Sequence, residues 1–581
     1  MQYEIEPPTF WDIKNQFPIQ DIIYNKVFSK YKKTDTVFEI IKKNGEIKKL
    51  SKDKCLLLSK NFALELKKQI RNKNHHNQIK IMGIIGASEE SVILMLSSLY
   101  LAAHHCICFE DLSSMAIRQR LDIFNPDVIV CKKHLKDKVE LALNHNKRIN
   151  LPIVLLDVDE IKETNIYDEQ PSIYKENYDL FTLFTSGSTG KPKSIIHGVN
   201  SYLNYAEFTS EYFFGLKKYS KIFTAVDAGW INGHTYAFYG PLLLGSISVI
   251  NEMPTLISIP RILGEYLDKI NPDCFYTSVT LLRLLKSMTN PDEKLSKYLK
   301  NNFRIERIGS CGEPLANHVG KWAIDFFNPK RKAIVNTYFQ TETGGILVAP
   351  RDEDSVPKDY SCVGKPPIEL GLTQAQNLMS QEELTKQGIL PNELIVKNYW
   401  PGVFNKVISD KKSNYFTNEG FFRLHDVGYF DDEGFLYVGG RSDDVINVSG
   451  HRISTSEIES ICLNLDIIKD ACAVSASDQL SGEKIVLYFT PSKKDFDINL
   501  IVKELRKNIQ SQLSKYHLPS RFEYFIELPK TQSGKIMRRI MRDLAENNSF
   551  NENLDYSTLA NKESFLKSKD IFINSKNKAK L

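Results

Sequence analysis

The run QIKIMGIIGASEESVILMLSSLYLAAHHCICFED, residues 78–111, constrains the fold more than any other stretch. An isoleucine-rich strand turns through small residues into an apolar helix, with Glu89 and Glu90 in its first turn, and the chain returns as a second strand. SMAIRQRLDIFNPDVIVCKKH continues with another helix and a strand over Asp127–Cys131. Strands alternating with helices predict a largely parallel sheet covered on both faces. The pattern recurs at KIFTAVDAGW, SISVINE, PDCFYTS, RIERIGSCGEP and KAIVNTYFQ, and several of these strands end in a loop containing Gly, Ser or Thr. Ligands of open α/β sheets collect beyond the carboxyl ends of strands, so chemistry is to be sought in those loops.

Near residue 420 the texture changes. GYFDDEGFLYVGGRSDDVIN alternates apolar and polar residues about a DDEG turn, the mark of antiparallel hairpins. STSEIESICLNL then starts like a helix with Ser and Glu at capping positions; ACAVSAS and KIVLYFTPS read as strands, and INLIVKELRKNIQSQL as an amphipathic helix. The expected fold class is α/β, with a large N-terminal domain of parallel and mixed sheets layered with helices over residues 1–442. A smaller α+β domain follows over 443–545, and residues 546–581 form a polar, Lys/Asn-rich extension whose end is expected to be loosely held.

Composition excludes some classes. At 581 residues the length prior is about three or four units, and a net charge of +5 is too small to argue for nucleic acid. Nine cysteines without a repeating spacing read as free thiols in a reducing compartment. The start, MQYEIEPPTFWDIK, carries acids and prolines where a signal peptide has a basic start and an apolar run. The apolar window at 91–103 is shorter than the roughly 20 residues a membrane span needs. The expected location is cytoplasmic, with no membrane span.

LFTSGSTGKPKSIIHG (183–198) has the composition of a phosphate-wrapping loop: backbone N–H groups of small residues approach an anion, with hydroxyls and two lysines beside them. A Walker A loop is excluded, because Gly187 has Pro192, not Gly, five residues on. GIIGAS (83–88) likewise lacks the spacing of a dinucleotide fingerprint. TSGSTGKPK resembles the phosphate loop of the adenylate-forming superfamily, which includes the acyl-CoA synthetases. Further motifs of that superfamily follow in order: GSCGEP (309–314), YFQTETGG (338–345), RLHDVGYFDDEGFLYVGGRSDD (423–444), VSGHRIS (448–454) and PKTQSGKIMRR (529–539). DAGWINGHTYAFYGPLLLG (227–245), NYWPGVF (398–404) and NLDYSTLAN (553–561) are similar to segments of acetyl-CoA synthetase and its short-chain relatives.

The resemblance implies a reaction and a site. A carboxylate attacks the α-phosphate of ATP to give an acyl-adenylate and pyrophosphate; CoA then displaces AMP. Two anions must be brought together, so charge neutralisation and in-line positioning are the main catalytic terms. By this resemblance Thr185, Ser186, Gly187, Ser188, Thr189, Gly190, Lys191 and Lys193 contact phosphate, with Thr337 and Thr341. Glu342 holds Mg²⁺, a cation suited to hard oxygen ligands. Gly312, Glu313 and Pro314 line the adenine, with Tyr338 and Gln340 also in the nucleotide site; Asp426 accepts from the ribose hydroxyls and Arg441 assists. Lys535 bridges the carboxylate and the α-phosphate, a task suited to a compact charge on a long stem. The small domain is expected to be mobile, rotating between half-reactions about Asp443. Gly450 then leaves room for the thiol, with Arg452 and Arg506 as contacts to adenylate and CoA. Acylation of Lys535 by a regulatory acyltransferase is a further implication of the family.

The acyl pocket carries this chain's own signature. Its walls by carry-over are Ile231, Asn232, Cys311 and Phe339, where acetate enzymes have Val, Thr, Val and Trp. A phenyl ring in place of an indole deepens the pocket slightly, so an acid of two to four carbons is expected, acetate by default; Asn232 could recognise a hydroxyl or a second carboxylate. Ser194 replaces a glycine of the phosphate loop, and Leu424-His425 replaces the usual Thr-Gly before Asp426. The basic CoA-contacting segment of acetyl-CoA synthetases is not recognisable near CKKHLKDKVELALNHNK (131–147). Three functions therefore stand: a short-chain acid–CoA ligase, a ligase that loads a carrier protein or amine, and a non-catalytic nucleotide binder. Retention of Lys535, Glu342 and Asp426 argues against the third. HHCIC (104–108) reads as buried structural residues, and DDEG (431–434) as a hairpin turn.

Overall fold

The computed structural model describes residues 3–5, 23–70, 78–144, 151–162, 169–175, 178–186, 192–253, 257, 259–289, 305–351, 354, 356–409, 415–442, 445–448, 451–478, 482–493, 495–513, 517–531, 535–547 and 559–578. Among these, the strands form four sheets.

The first has eight strands, in the order Tyr3–Ile5, Lys406–Ser409, Pro192–Gly198, Asp179–Ser186, His104–Cys108, Lys80–Ile84, Val128–Cys131, Ile153–Leu155. Its second half is parallel, as the βα alternation demands; the first half is antiparallel. The second sheet has seven strands: Val335–Asn336, Arg307–Cys311, Cys274–Ser278, Lys221–Thr224, Ile247–Asn251, Thr36–Ile41 and Ile47–Ser51. All neighbours in it are parallel except the last pair. Four of its strands therefore deliver their carboxyl ends to one edge, above which lie residues 225–231, 279–280, 312–314 and 337–342.

The helix Glu89–Tyr100 lies in one apolar cluster with residues from both large sheets, among them Phe38 and Ile40 from one and Ile81 and Val128 from the other. All of its residues but Glu90 are buried, which suits a central layer and not a surface. Ser88 caps it by accepting from the Ser91 N–H, and the almost fully buried Glu89 carboxylate is paired with Lys42 and Lys48. Among the described residues no helix is long and apolar enough to cross a membrane.

The third sheet is antiparallel: Leu372–Gln374, Glu393–Val396, Phe422–Phe430 and Leu436–Arg441. Its last two strands are the expected hairpin, turning at Asp431–Gly434, with Gly434 at φ +83°. The fourth sheet pairs His451–Ser454, Val445–Val448, Gly482–Pro491 and Ile468–Asp478, with Arg521–Tyr524 alongside. The wholly antiparallel sheets thus start near residue 372, some way before the change of texture near 420.

Two readings of the sequence are sharpened. The five residues of HHCIC are all buried; His104 bonds Thr182 Oγ1 through Nε2 at 2.8 Å, and among the described residues no three His, Cys, Asp or Glu converge as a metal-binding group. The C-terminal extension is more than a tail. Lys562–Lys578 is a helix, and Leu559, Phe565 and Phe572 are buried against Tyr488, Phe525, Leu528 and Leu544. Two phenylalanines seven residues apart return to one helix face, a signal that Lys/Asn-rich composition conceals.

In the third sheet Arg423 and Glu393 form a buried two-pronged ion pair, Nε to Oε1 at 2.8 Å and Nη2 to Oε2 at 3.1 Å. Removing one partner strands the other charge. Arg423→Met is expected to lower stability by about 3–5 kcal/mol, and Arg423→Met with Glu393→Leu to recover most of that loss. Urea midpoints followed by tryptophan fluorescence decide it; equal loss in single and double variants would refute this reading of the pair.

Candidate active site

The turn Thr341–Thr343 lies just past the strand edge of the second sheet. Its backbone is held from several directions. His197 Nε2 donates to the Thr341 carbonyl at 2.8 Å, Phe404 N–H to that of Glu342 at 3.0 Å, Trp400 Nε1 to that of Thr343 at 3.1 Å, and Thr235 Oγ1 to that of Gly344 at 2.9 Å. Four consecutive carbonyls are therefore each bonded to a different residue of the scaffold. Gly344 sits at φ +72°, and a Cβ there would come 2.1 Å from the Gly402 carbonyl oxygen, so only glycine closes this turn. Burial lowers the His197 ring to about 4, keeping it neutral with its proton on Nε2, since a carbonyl only accepts.

This turn presents Glu342. Tyr415 donates its hydroxyl to Glu342 Oε1 at 3.1 Å, and burial together with that carboxylate raises the phenol well above its ordinary range. Lys193 reaches the same hydroxyl at 3.4 Å, its ammonium 5.5 Å from the ring centroid. The phosphate loop is thereby joined to Glu342. Thr185 lies directly across the ladder from Lys193 in the antiparallel hairpin Asp179–Ser186 and Pro192–Gly198. Gly187, Ser188, Thr189, Gly190 and Lys191, at the head of that hairpin, lie outside the described residues, as does the Ser186 side chain. A strand-to-strand hairpin, where a Walker A loop leads into a helix, agrees with the excluded spacing.

Asp426 stands on the other side. It is 7% exposed; Oδ2 accepts from Tyr338 Oη at 2.7 Å and Gln340 Nε2 at 2.6 Å, and Oδ1 lies 3.4 Å from Arg441, its partner across the hairpin. Burial and the adjacent carboxylate keep the Tyr338 phenol protonated, so it remains a donor. His425, which replaces a glycine, sits at φ +54°, with Nδ1 3.8 Å from Glu393. A left-handed non-glycine residue costs roughly 1 kcal/mol, and His is among the residues that tolerate it.

The GSCGEP turn follows Arg307–Cys311, with Gly312 at φ +93°. Glu313 is engaged by Arg283 at 2.6 Å and by the Thr280 hydroxyl. Thr337 donates to the Ser310 carbonyl at 2.8 Å, which ties this turn to the 337–343 segment. Below it, Asn232 Nδ2 donates to Cys311 Sγ at 2.9 Å, Ile231 is buried, and Phe339 meets Tyr236 edge-on at 5.9 Å. The four residues expected to line the acyl pocket are thus gathered in one region. Asp227 fixes the loop before them, accepting from Gly229 N–H at 2.8 Å and Ala87 N–H at 3.4 Å.

Other expected residues lie elsewhere. Lys535 is exposed on the small sheet's side of the chain; its amide donates to Thr531 Oγ1 at 3.2 Å and its carbonyl accepts from Thr531 N–H. Arg506 is stacked over Phe522 at 4.5 Å. Asp443, Gly450 and the Arg452 side chain lie outside the described residues. In the 131–147 segment, Lys132 is paired with Glu110 at 2.9 Å and Glu90 at 3.5 Å, and Lys138 donates to the Glu110 carbonyl at 2.8 Å. These two lysines hold the Glu110 loop.

Comparisons with known proteins give the family. Residues 62–373 match the AMP-binding enzyme family, and residues 457–535 match the AMP-binding enzyme C-terminal domain. The chain belongs to the AMP-binding enzyme family. Within this adenylate-forming superfamily it is an acetyl-CoA synthetase-like ligase. The acetyl-coenzyme A synthetase of Shewanella pealeana is 31% identical over 500 residues, covering 81% of this chain and 75% of that one. That of Pseudoalteromonas translucida is 35% identical over 397 residues, covering 67% of this chain and 60% of that protein's length. Solved AMP-binding ligases share the fold: an anthranilate CoA ligase bound to anthranoyl-AMP superposes with a TM-score of 0.76 at 16% identity, over 92% of this chain and 99% of that one. A benzoate CoA ligase from Burkholderia xenovorans gives 0.73 at 17%, over 90% and 99%.

Sequence reading did not find His197, Thr235, Trp400 and Tyr415 as site residues. Thr235 and Trp400 lie in segments that resemble acetyl-CoA synthetases and His197 lies four residues beyond the TSGSTGKPK loop, whereas Tyr415 has no motif to mark it.

Two outcomes test this geometry. His197→Leu leaves the Thr341 carbonyl only the 3.3 Å bond from the Gly344 N–H and is expected to lower stability by about 1 kcal/mol and to raise KM for ATP, whereas His197→Gln, which keeps a donor, recovers most of both. Equal behaviour of the two variants would exclude the bond as the cause. Burial, with Glu110 and Asp111 adding to it, raises the Asp227 carboxyl from 3.8 to about 6. The native state then holds this proton more tightly than the unfolded chain, so stability falls as pH rises from about 4 to about 6. Asp227→Asn is expected to flatten that part of the stability–pH curve; an unchanged slope counts against the assignment.

Proposed function

We propose that the chain is an ATP-dependent acid–CoA ligase that activates a carboxylic acid of two to four carbons to its acyl-adenylate, releases pyrophosphate, and transfers the acyl group to CoA with release of AMP. The observation that carries this reading is the linkage of Lys193, Tyr415 and Glu342 on one side with Asp426, Tyr338 and Gln340 on the other. A fixed cation and a carboxylate at the phosphate end, with a hydrogen-bonded carboxylate at the ribose end, suit a nucleoside triphosphate and no simple monoanion. The acetyl-coenzyme A synthetase relatives support CoA as acceptor.

In this reading the 185–193 loop binds the β- and γ-phosphates, Thr337 and Thr341 contact phosphate, Gly312, Glu313 and Pro314 line the adenine, and Asp426 takes the ribose hydroxyls with Arg441 beside it. Mg²⁺ fits the donor set: Glu342 and the Thr341 hydroxyl are hard oxygen donors, and few protein ligands are needed when phosphate oxygens complete the shell. When bound, the ion neutralises phosphate charge as pyrophosphate leaves. Residues 1–442 carry the nucleotide and acyl pockets. Residues 443–545, hinged at Asp443, bring Lys535 for adenylation, then Gly450, Arg452 and Arg506 for the thiol. Nine free, buried cysteines support a reducing, cytoplasmic setting.

Acid-dependent ATP–pyrophosphate exchange over a panel of short acids, followed by AMP release with and without CoA, tests the reading. Exchange with at least one acid and CoA-stimulated AMP release are expected; no exchange with any acid overturns it, and exchange without CoA stimulation points to a carrier protein or amine as acceptor. Lys535→Ala is expected to abolish exchange yet to leave thioester formation from supplied acyl-adenylate largely intact. Equal loss of both steps contradicts its role. Phe339→Gly is expected to shift preference toward longer acids, and an unchanged chain-length profile would misplace the pocket.

A further inference from the structure

Asn232 is the one amide among the four acyl-pocket residues, and it is 9% exposed. Its hydrogen bonds follow a fixed order. The Cys311 thiol donates to the Thr277 carbonyl at 3.4 Å, so its sulfur faces Asn232 as an acceptor, and Asn232 Nδ2 donates to it at 2.9 Å. Burial pushes the thiol up to about 12, so it keeps the proton on which this order depends. The amide is thereby oriented, and Asn232 Oδ1 remains: it is buried and has no hydrogen-bond partner in the structure. A buried amide oxygen without a donor carries a desolvation penalty that only a donor returns.

We infer that Asn232 selects a small carboxylic acid bearing a neutral hydroxyl on its carbon chain, which donates to Oδ1, over the unsubstituted acid of the same length. The inference rests on the acid-activating reading above. A second carboxylate is excluded on chemistry: ionised, it has no proton to donate and would meet the lone pairs of Oδ1. An ammonium donates but would bring a full charge against Ile231, Cys311, Phe339 and the ring of Tyr236, none of which carries a compensating charge. A hydroxyl donates and is neutral. Phe339, braced edge-on by Tyr236, keeps the acid short, so the choice lies between a hydrogen and a hydroxyl on a short chain and not between short and long chains.

Selectivity of this kind is one-sided. A merely apolar pocket discriminates weakly against an added hydroxyl, whereas a pocket with an unpaired polar atom rejects the analogue that cannot satisfy it.

The test compares matched pairs in acid-dependent ATP–pyrophosphate exchange: glycolate with acetate, lactate and 3-hydroxypropionate with propionate, and 3-hydroxybutyrate with butyrate. In the wild-type chain at least one hydroxy acid is expected to exceed its partner in kcat/KM by about 10- to 100-fold. In Asn232→Leu, which keeps the volume but has no polar atom, that ratio is expected to fall toward 1. Exchange with unsubstituted acids that equals or exceeds every hydroxy partner overturns the inference and leaves the ligase reading standing. A preference retained in Asn232→Leu overturns the role of Asn232. Absence of exchange with any acid overturns both. The wild-type comparison stands whether or not the variant folds.

Discussion

The carbonyls of residues 341–344 each accept a hydrogen bond from a different part of the chain, and the rest of the site is arranged about that turn. A short turn in open solvent would sample many conformations. Here His197 comes from the hairpin Asp179–Ser186 and Pro192–Gly198, Thr235 from the segment just after Ile231 and Asn232, and Trp400 and Phe404 from the chain that leads back to the first sheet. Their donors fix Glu342 from behind while its side chain faces Tyr415 and Lys193. Loss of these bonds would penalise any shift of this turn, so the backbone that presents Glu342 is preorganised.

Sheet topology supplies the second constraint. Parallel pairing brings the carboxyl ends of Lys221–Thr224, Cys274–Ser278, Arg307–Cys311 and Val335–Asn336 to one edge. The loops that follow carry Asp227 and Asn232, Thr280, Glu313 and Thr341 in turn. The proposed ribose site lies on a different sheet, where Asp426 stands three residues along the same strand from Arg423, the partner of buried Glu393. In that reading the acyl and nucleotide pockets share a wall, the segment from Cys311 to Phe339.

Much of this was legible in the sequence. The strand–helix alternation at 78–111 implied the parallel half of the first sheet, and the DDEG turn implied the hairpin that carries Asp426 and Arg441. Of the residues that the motifs point to, the fold brings Tyr338 and Gln340 onto Asp426, and Lys193 within reach of Tyr415, the partner of Glu342. What escaped is what periodicity cannot express. Tyr415 lies in a polar run with no local signature, and its bond to Glu342 joins residues 73 apart. The donors on the 341–344 carbonyls act on backbone atoms, which leave no mark of their own in the sequence. The burial of Phe565 and Phe572 was hidden by the lysines and asparagines between them. Left-handed His425 is the converse case: the sequence shows a departure from glycine, and the dihedral shows that the conformation was kept.

In the proposed ligase a single acyl-adenylate spans Asp426 at one end and the Ile231, Asn232, Cys311 and Phe339 pocket at the other. A crystal structure with a non-hydrolysable acyl sulfamoyl-adenosine tests this placement. Both ribose hydroxyls are expected within hydrogen-bond distance of the Asp426 carboxylate, with the acyl chain between Asn232 and Phe339. A ribose bound away from Asp426, or an acyl chain directed away from those four residues, would contradict it.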